Sequence, residues 1–396
     1  MALNVGIVGC GDIALKNYLP GTRALAGTVD VVATCDPRYD RAVRAGEEFG
    51  AEECRAYASL DELLRDPQVE GVEILTPWPL HYPLALQALQ AGKHVYVQKP
   101  MAQTLEQADR LVEEASRRGL VLAAAPPNML SPTLQRIRAL IQEGVIGKVG
   151  LVFCHSSHGG ATGPGRFTDS QWFFMQEAGY WTSLVDMGVY GLHTVTGILG
   201  PARRVTAMSG IAFRERTFTD PESGTPRPAS RLEAPPPPKP RPVEITSHDN
   251  GIVLLDWGEG TIGQVDGAFT MVTREGPGLV VYGSQGVISS AGRSGTFRLF
   301  QRQDGGPYPK GWSEVDPEGK VVATGDDAGL PRGAGRGAGR RDPNAPAEDV
   351  AHWAACVVQG RKPILSAEHA RHVVEIMERA VIASQTGQAQ DLTTTF

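Results

Sequence analysis

Short apolar runs recur through the first third of the chain: N-V-G-I-V-G (4–9), V-D-V-V-A-T-C (29–35), G-V-E-I-L-T (71–76), H-V-Y-V-Q (94–98) and V-L-A-A-A (121–125). Amphipathic stretches such as L-E-Q-A-D-R-L-V-E-E-A (105–115) separate them. Runs this short and apolar on both faces, alternating with helical periodicity, predict a doubly wound parallel sheet with crossover helices. After residue 128 the pattern changes. A helix is predicted near 133–143, a strand at V-G-L-V-F-C-H-S (149–156) and a helix over 182–198. Several β-rich segments follow, including R-R-V-T-A-M-S-G, G-I-V-L-L-D-W, T-I-G-Q-V-D-G-A-F-T-M-V and L-V-V-Y-G-S-Q-G-V-I-S-S. Helices over 347–358 and 366–385 close the chain. Runs of strands after a βαβ half predict an α+β second domain with a large open, mostly antiparallel sheet.

The domain expectation is therefore 1–127 and 128–396, and a chain of 396 residues is long enough for two cores. Flexible insertions are expected near 215–242 and 303–345. The first contains L-E-A-P-P-P-P-K-P-R-P, a polyproline II candidate, and the second the Gly- and Arg-rich G-A-G-R-G-A-G-R-R-D-P. No solenoid-type repeat is present.

Composition narrows the partners. A net charge of -6 gives no electrostatic basis for binding nucleic acid or an anionic membrane, so a small, neutral ligand is expected. The five cysteines lack C-x-x-C spacing, and Cys10 and Cys35 lie inside apolar runs. They read as buried thiols of a reducing compartment rather than metal ligands. With no signal peptide or long apolar segment in view, a cytoplasmic location is expected.

The first strand runs into G-I-V-G-C-G-D-I-A, which places Gly9, Gly11 and Ala14 in G-x-G-x-x-A spacing. The first glycine allows the tight turn, the second a close backbone approach to pyrophosphate, and the small third residue helix-on-strand packing. Asp36, at the end of the second strand, suits the adenosine ribose hydroxyls of NAD. Arg38, two residues on, could bind a 2′-phosphate and leaves NADP open.

The glycine loop resembles that of the Gfo/Idh/MocA oxidoreductases, as do I-L-T-P-W-P-L-H (74–81), A-G-K-H-V-Y-V-Q-K-P-M-A (91–102) and L-V-D-M-G-V-Y-G-L-H (184–193). The likeness continues through E-G-V-I-G-K-V (143–149), V-V-Y-G-S-Q-G-V-I (280–288) and S-A-E-H-A-R-H-V-V-E-I (366–376). The resemblance implies a Rossmann domain, a C-terminal open sheet often used for oligomerisation, and oxidation or reduction of a sugar or cyclitol hydroxyl. It puts the family lysine, commonly before a cis proline, on Lys99. Its helix motif falls on Asp186 and Tyr190, and a cofactor-side histidine on His81. The expected cofactor contacts are Gly9, Gly11, Asp12, Ile13, Asp36, Arg38, Thr76, Trp78, His81, Gln98, Lys99 and Asn128. The chain departs from the family at Gln98, where Glu is usual, at Trp78, where Asn is common, and at A-G-Y-W-T-S (178–183), which replaces a glycine triplet.

Asp186, Tyr190 and His193 are spaced i, i+4, i+7, within about 60° of one another on an ideal helix. A polar stripe in an apolar helix is costly to bury unless it lines a cavity or binds a ligand. Tyr190 could equally be a core aromatic, and His193 a backbone-satisfied histidine. Hydride transfer from a carbinol carbon needs a base, stabilisation of alkoxide charge, and orientation. Lys99 is expected to stabilise the alkoxide, Tyr190 or His193 to exchange the proton, and Asp186 to orient substrate or tune Lys99. Neutral Gln98 is expected to leave Lys99 with a lower pKa than a Glu would. His155 and Trp172 are further substrate candidates. His155 and His158 form no convincing metal pair and no metal is expected. His352, His369 and His372 read as structural.

The expected activity is NAD(P)-dependent oxidation or reduction of a sugar, glycoside or cyclitol by a homodimer or homotetramer. Alternatives are an NAD-dependent glycosidase acting through transient sugar oxidation, a hydride-shuttling keto-sugar reductase, and a non-catalytic NAD sensor.

Overall fold

The computed structural model describes residues 2–158, 174–219, 240–271, 276–292, 295–304, 306–325 and 347–396. Trp172 and the Gly/Arg-rich stretch lie outside them.

The first half forms a parallel sheet of β1 (Leu3–Val8), β2 (Val29–Cys35), β3 (Arg55–Tyr57), β4 (Gly71–Ile74), β5 (His94–Val97) and β6 (Leu122–Ala124). Their order is β3-β2-β1-β4-β5-β6. The order reverses between β1 and β4, so the crevice at their carboxyl ends is where an open α/β sheet takes its ligand. The crossovers carry α1 (Leu19–Arg23), α2 (Tyr39–Phe49), α3 (Leu60–Arg65), α4 (His81–Gln90) and α5 (Leu105–Arg118). Local chemistry sets their ends: Thr104 caps α5 by accepting from the Gln107 N–H, and Gly119 closes it at φ 67°. No apolar run signalled β3, whose three residues are all half-buried.

The second half contributes α6 (Pro132–Gln142), β7 (Val149–Cys154), α7 (Val189–Leu199), β8 (Arg204–Gly210), β9 (Glu215–Thr219), β10 (Pro240–Glu244), β11 (Asn250–Gly258) and β12 (Thr261–Asp266). It continues with β13 (Leu279–Gly283), β14 (Gly286–Ser290), β15 (Phe297–Gln301), β16 (Gly311–Val315), β17 (Val321–Thr324), α8 (Glu348–Gln359), α9 (Ala367–Thr386) and β18 (Gln390–Asp391). The large sheet runs β17-β16-β15-β14-β13-β7-β12-β11-β8-β18, with β7 and β12 its parallel pair. Alternate residues of β11 divide between the two faces: Gly251, Val253 and Leu255 are buried, Ile252 and Leu254 exposed. On the covered face α7 meets β7 and β12, while α9 meets β8.

Two expectations about the insertions need correction. The ends of the 215–242 segment are ordered as β9 and β10, which pair antiparallel with Pro242 opposite Thr217. Within 303–345, β16 and β17 extend the large sheet. Prolines on a two-stranded ribbon keep their missing N–H groups off a shared ladder, which is how a Pro-rich stretch can still end in a strand. The expected second domain covers everything after 128, yet α8 packs on the first sheet. Its Val350, Trp353 and Ala354 share a core with Val5, Ile7 and Tyr96.

Candidate functional site

The glycine loop meets the conditions for a dinucleotide. Gly9 has φ 93°, and a Cβ there would come within 2.8 Å of Thr76 Cγ2, so both conformation and space demand glycine. A Cβ on Gly11 would meet nothing within 4 Å, leaving open space above the backbone where a pyrophosphate would lie. The helix that follows, with Asp12 and Ile13 in its exposed first turn, offers its N-terminus to that space. Asp36 is buried and held by the Cys10 N–H and the Arg38 N–H, each at 2.9 Å, which fixes the carboxylate beside the loop. Arg38 leans on Asp40 at 3.5 Å. Thr76 Oγ1 is buried without a hydrogen-bond partner beside Gly9. Such an orphaned hydroxyl fits a bound group that would complete it.

One imidazole ties the glycine loop to the lysine. His81 is buried, with Nδ1 at 2.7 Å from the Pro100 carbonyl and Nε2 at 2.8 Å from the Thr76 carbonyl. Burial pushes its pKa down to about 4, against the pull of both carbonyls, and the nearby Lys99 charge lowers it further. His81 thus fixes two site loops in place, and Trp78 is buried beside it in a short 3-10 turn. The Lys99–Pro100 bond is cis, as the resemblance implied.

Lys99 leaves the carboxyl end of β5 and reaches across to the second half of the chain. Its Nζ donates to Asp186 Oδ1 at 2.5 Å and to the Asp186 carbonyl at 3.0 Å, and lies 5.3 Å from the centroid of the Tyr190 ring. Both members of the ion pair are largely buried, with side chains 12% and 15% exposed. Burial pulls the Lys99 pKa down, but the Asp186 charge, Tyr190 and the hydrogen bond outweigh it, and the net shift is upward. In this arrangement Lys99 is a cation.

Gln98 does not face the ammonium. Its side chain turns inward: Nε2 donates to the Tyr18 hydroxyl, and Oε1 accepts from the Lys99 backbone N–H at 3.2 Å. The ammonium is governed by Asp186, not by residue 98. Residues 184–188 form a π-helical turn that carries Asp186 into α7, where Tyr190 follows. His193 belongs to a buried histidine cluster. It is buried with its ring centroid 4.7 Å from that of His369, and burial depresses its pKa to about 3. His369 and His372 are buried beside it, as expected of structural histidines.

A cavity of about 200 Å³ opens beside Tyr190, lined by Asn128, His155, Ser156, Thr194 and Leu279 among others. Asn128 Nδ2 donates to the Tyr190 carbonyl and to Thr194 Oγ1, both at 2.8 Å, so it anchors α7 from the first half of the chain. His155 Nδ1 lies 2.6 Å from Asp266 Oδ2. Asp266 also accepts from the Ser156 and Ser157 N–H groups. Burial raises the Asp266 pKa, but His155 and Ser157 outweigh it and hold the carboxyl below its ordinary value. Asp266 thereby fixes the orientation of the His155 ring at the cavity wall. Sequence reasoning missed Asp266; an acid at a strand end carries no signal until its partner on β7 is known. Among the described residues no cluster of histidine, cysteine and acid could hold a metal ion.

This pairing of a glycine-loop Rossmann sheet with a cationic lysine facing an aspartate and a tyrosine defines a nicotinamide-dependent oxidoreductase site. Residues 3–125 match an oxidoreductase family with an NAD-binding Rossmann fold, and residues 134–289 match the GFO/IDH/MocA C-terminal domain. The chain belongs to the Gfo/Idh/MocA oxidoreductase family, and its first domain is an NAD-binding one. It is 34% identical over 204 residues to a dTDP-3,4-didehydro-2,6-dideoxy-alpha-D-glucose 3-reductase of Streptomyces violaceoruber, covering 52% of this chain and 56% of that protein. It is 29% identical over 199 residues to the D-glucoside 3-dehydrogenase of Escherichia coli K12, covering 50% and 54%. The chain thus spans about half the length of these curated relatives. A levoglucosan dehydrogenase solved with NADH and levoglucosan shares the fold over all of both chains, with a TM-score of 0.76 at 18% identity.

Proposed function

We propose that the protein transfers hydride between NAD and a secondary hydroxyl or ketone of a sugar, glycoside or cyclitol. The observation that carries this reading is the Lys99–Asp186–Tyr190 constellation, fixed to the glycine loop through His81. Bound NAD supplies the hydride acceptor; Gly9, Gly11, Asp36 and Thr76 would hold it. The chain's own residues do the rest. The Lys99 ammonium stabilises charge on the substrate oxygen as it becomes an alkoxide. Tyr190 takes the hydroxyl proton during oxidation and returns it during reduction. Asp186 keeps Lys99 charged and accepts from a neighbouring hydroxyl. His155, held by Asp266, lines the cavity where the rest of the substrate would lie.

Relatives named as a reductase and as a dehydrogenase fit one reaction run in opposite directions, so the same residues serve both. The exposed face of the large sheet supports a second copy as partner: Leu151, Ile252, Leu254, Ile262 and Tyr282 form an apolar field that a monomer leaves in water.

The test is Lys99→Met assayed with NAD and a panel of sugars, glycosides and cyclitols. Turnover is expected to fall by about 10²- to 10³-fold with NAD affinity retained. Turnover at the parent rate would remove Lys99 from the chemistry.

A further inference from the structure

Beneath Lys99 lies a buried polar cluster that hydride transfer does not itself use. Asp349, in the first turn of α8, is fully buried, and its Oδ2 accepts from the Tyr18 hydroxyl at 2.9 Å and the Tyr96 hydroxyl at 2.6 Å. The two hydroxyls are 3.0 Å apart. Tyr18 also receives the Gln98 amide, whose oxygen accepts the Lys99 backbone N–H. The order of donors runs one way: Gln98 Nε2 donates to Tyr18, and Tyr18 donates to Asp349. Each end is therefore specified, an amide at 98 and a carboxylate at 349. A second buried acid, Glu73, lies nearby, and the Asp349 charge adds to burial in keeping it protonated.

We propose that Asp349, Tyr18 and Gln98 form a strut of positioning residues that sets the backbone of Lys99, so that α8, from the far end of the chain, helps place the ammonium against Asp186 and Tyr190. The strut acts through Lys99 and rests on the catalytic reading above. It also accounts for the amide at residue 98. A carboxylate there would give Tyr18, with its single proton, two acceptors, and would place two buried anions around one phenol pair.

The direction of the hydrogen bonds supplies the test. Reversing both ends at once, in Gln98→Glu/Asp349→Asn, lets Tyr18 donate to residue 98 and accept from residue 349. The total charge and the number of hydrogen bonds are then conserved. Each single variant, and Tyr18→Phe, is expected to lower kcat about 10-fold with KM changed less than about 3-fold. The double variant is expected to return kcat to within about 3-fold of the parent. A double variant no better than the worse single one, or Tyr18→Phe at the parent kcat, overturns the strut. If Gln98→Glu fails to fold, Tyr18→Phe alone decides.

Hydrogen exchange of the Lys99 amide reads the strut without turnover. Tyr18→Phe is expected to speed it at least 10-fold, and an unchanged rate counts against the proposal. Lys99→Met in the same series separates the two readings: parent-level turnover in that variant overturns the catalytic assignment, whereas loss there with none in Tyr18→Phe overturns only the strut.

Discussion

At the residue scale, the charge on Lys99 is decided by which carboxylate can reach it. Residue 98 is adjacent in sequence but points into the core, while Asp186, 87 residues away, touches the ammonium. The family resemblance pointed to Lys99, Asp186 and Tyr190, and helical spacing put the last two on one face. Neither could reveal Tyr18, Tyr96 or Asp349, because the meaning of those residues lies in contacts such as Tyr18 with Asp349, 331 positions apart. His193, a residue of the right type, is buried with its ring packed on His369. His193→Leu is expected to leave kcat within about 3-fold of the parent while lowering stability by about 1–3 kcal/mol through lost packing on His369. Thermal unfolding and steady-state kinetics on one preparation check both halves; a large loss of kcat in a well-folded variant would restore His193 to the site.

At the scale of elements, apolar periodicity identified five of the six strands of the first sheet, since buried parallel strands are apolar on both faces. It could not foresee the π-helical turn of residues 184–188, which has no compositional signature and carries Asp186. Nor did it show that β4 carries a fully buried acid. Burial, with the Asp349 charge second, pushes the Glu73 pKa up to about 8. In the unfolded chain this group ionises near its ordinary value, so between about pH 4.5 and 8 the folded state holds a proton that the unfolded state has lost. This contribution to stability is therefore full below that window and falls as pH rises through it, by on the order of 1.4 kcal/mol per pH unit. Glu73→Gln removes the dependence. Its melting temperature relative to the parent is expected to climb steadily from pH 5 to pH 8; a difference independent of pH would mean that Glu73 is not held protonated.

For the whole molecule, the site belongs to neither half alone. Lys99, just past β5, and His81, at the start of α4, come from the first domain, Asp186 and Tyr190 from the helical layer of the second, and α8 returns from later in the chain to pack on the first sheet. The two-part architecture was legible in the change of pattern near residue 128, but the return of α8 was not. Its apolar face looks the same whichever sheet it covers. The exposed face of the large sheet gives an expectation at this scale: Ile252→Glu with Tyr282→Arg should convert an oligomer to monomers in light scattering without loss of secondary structure, because both side chains already stand in solvent within one chain. Unchanged mass would place the interface elsewhere.

In the proposed reaction a charged Lys99, held between Asp186 and Tyr190, stabilises the substrate alkoxide. The direct measurement is absorbance of reduced nicotinamide when the parent and Lys99→Met are mixed with NAD and the carbohydrate panel, with NAD affinity measured in parallel. Cofactor reduction with at least one secondary alcohol is expected for the parent, and loss of about 10²- to 10³-fold in the variant with unchanged NAD binding. Equal rates in the two proteins, or a parent that binds NAD and reduces it with none of the panel, would contradict that expectation.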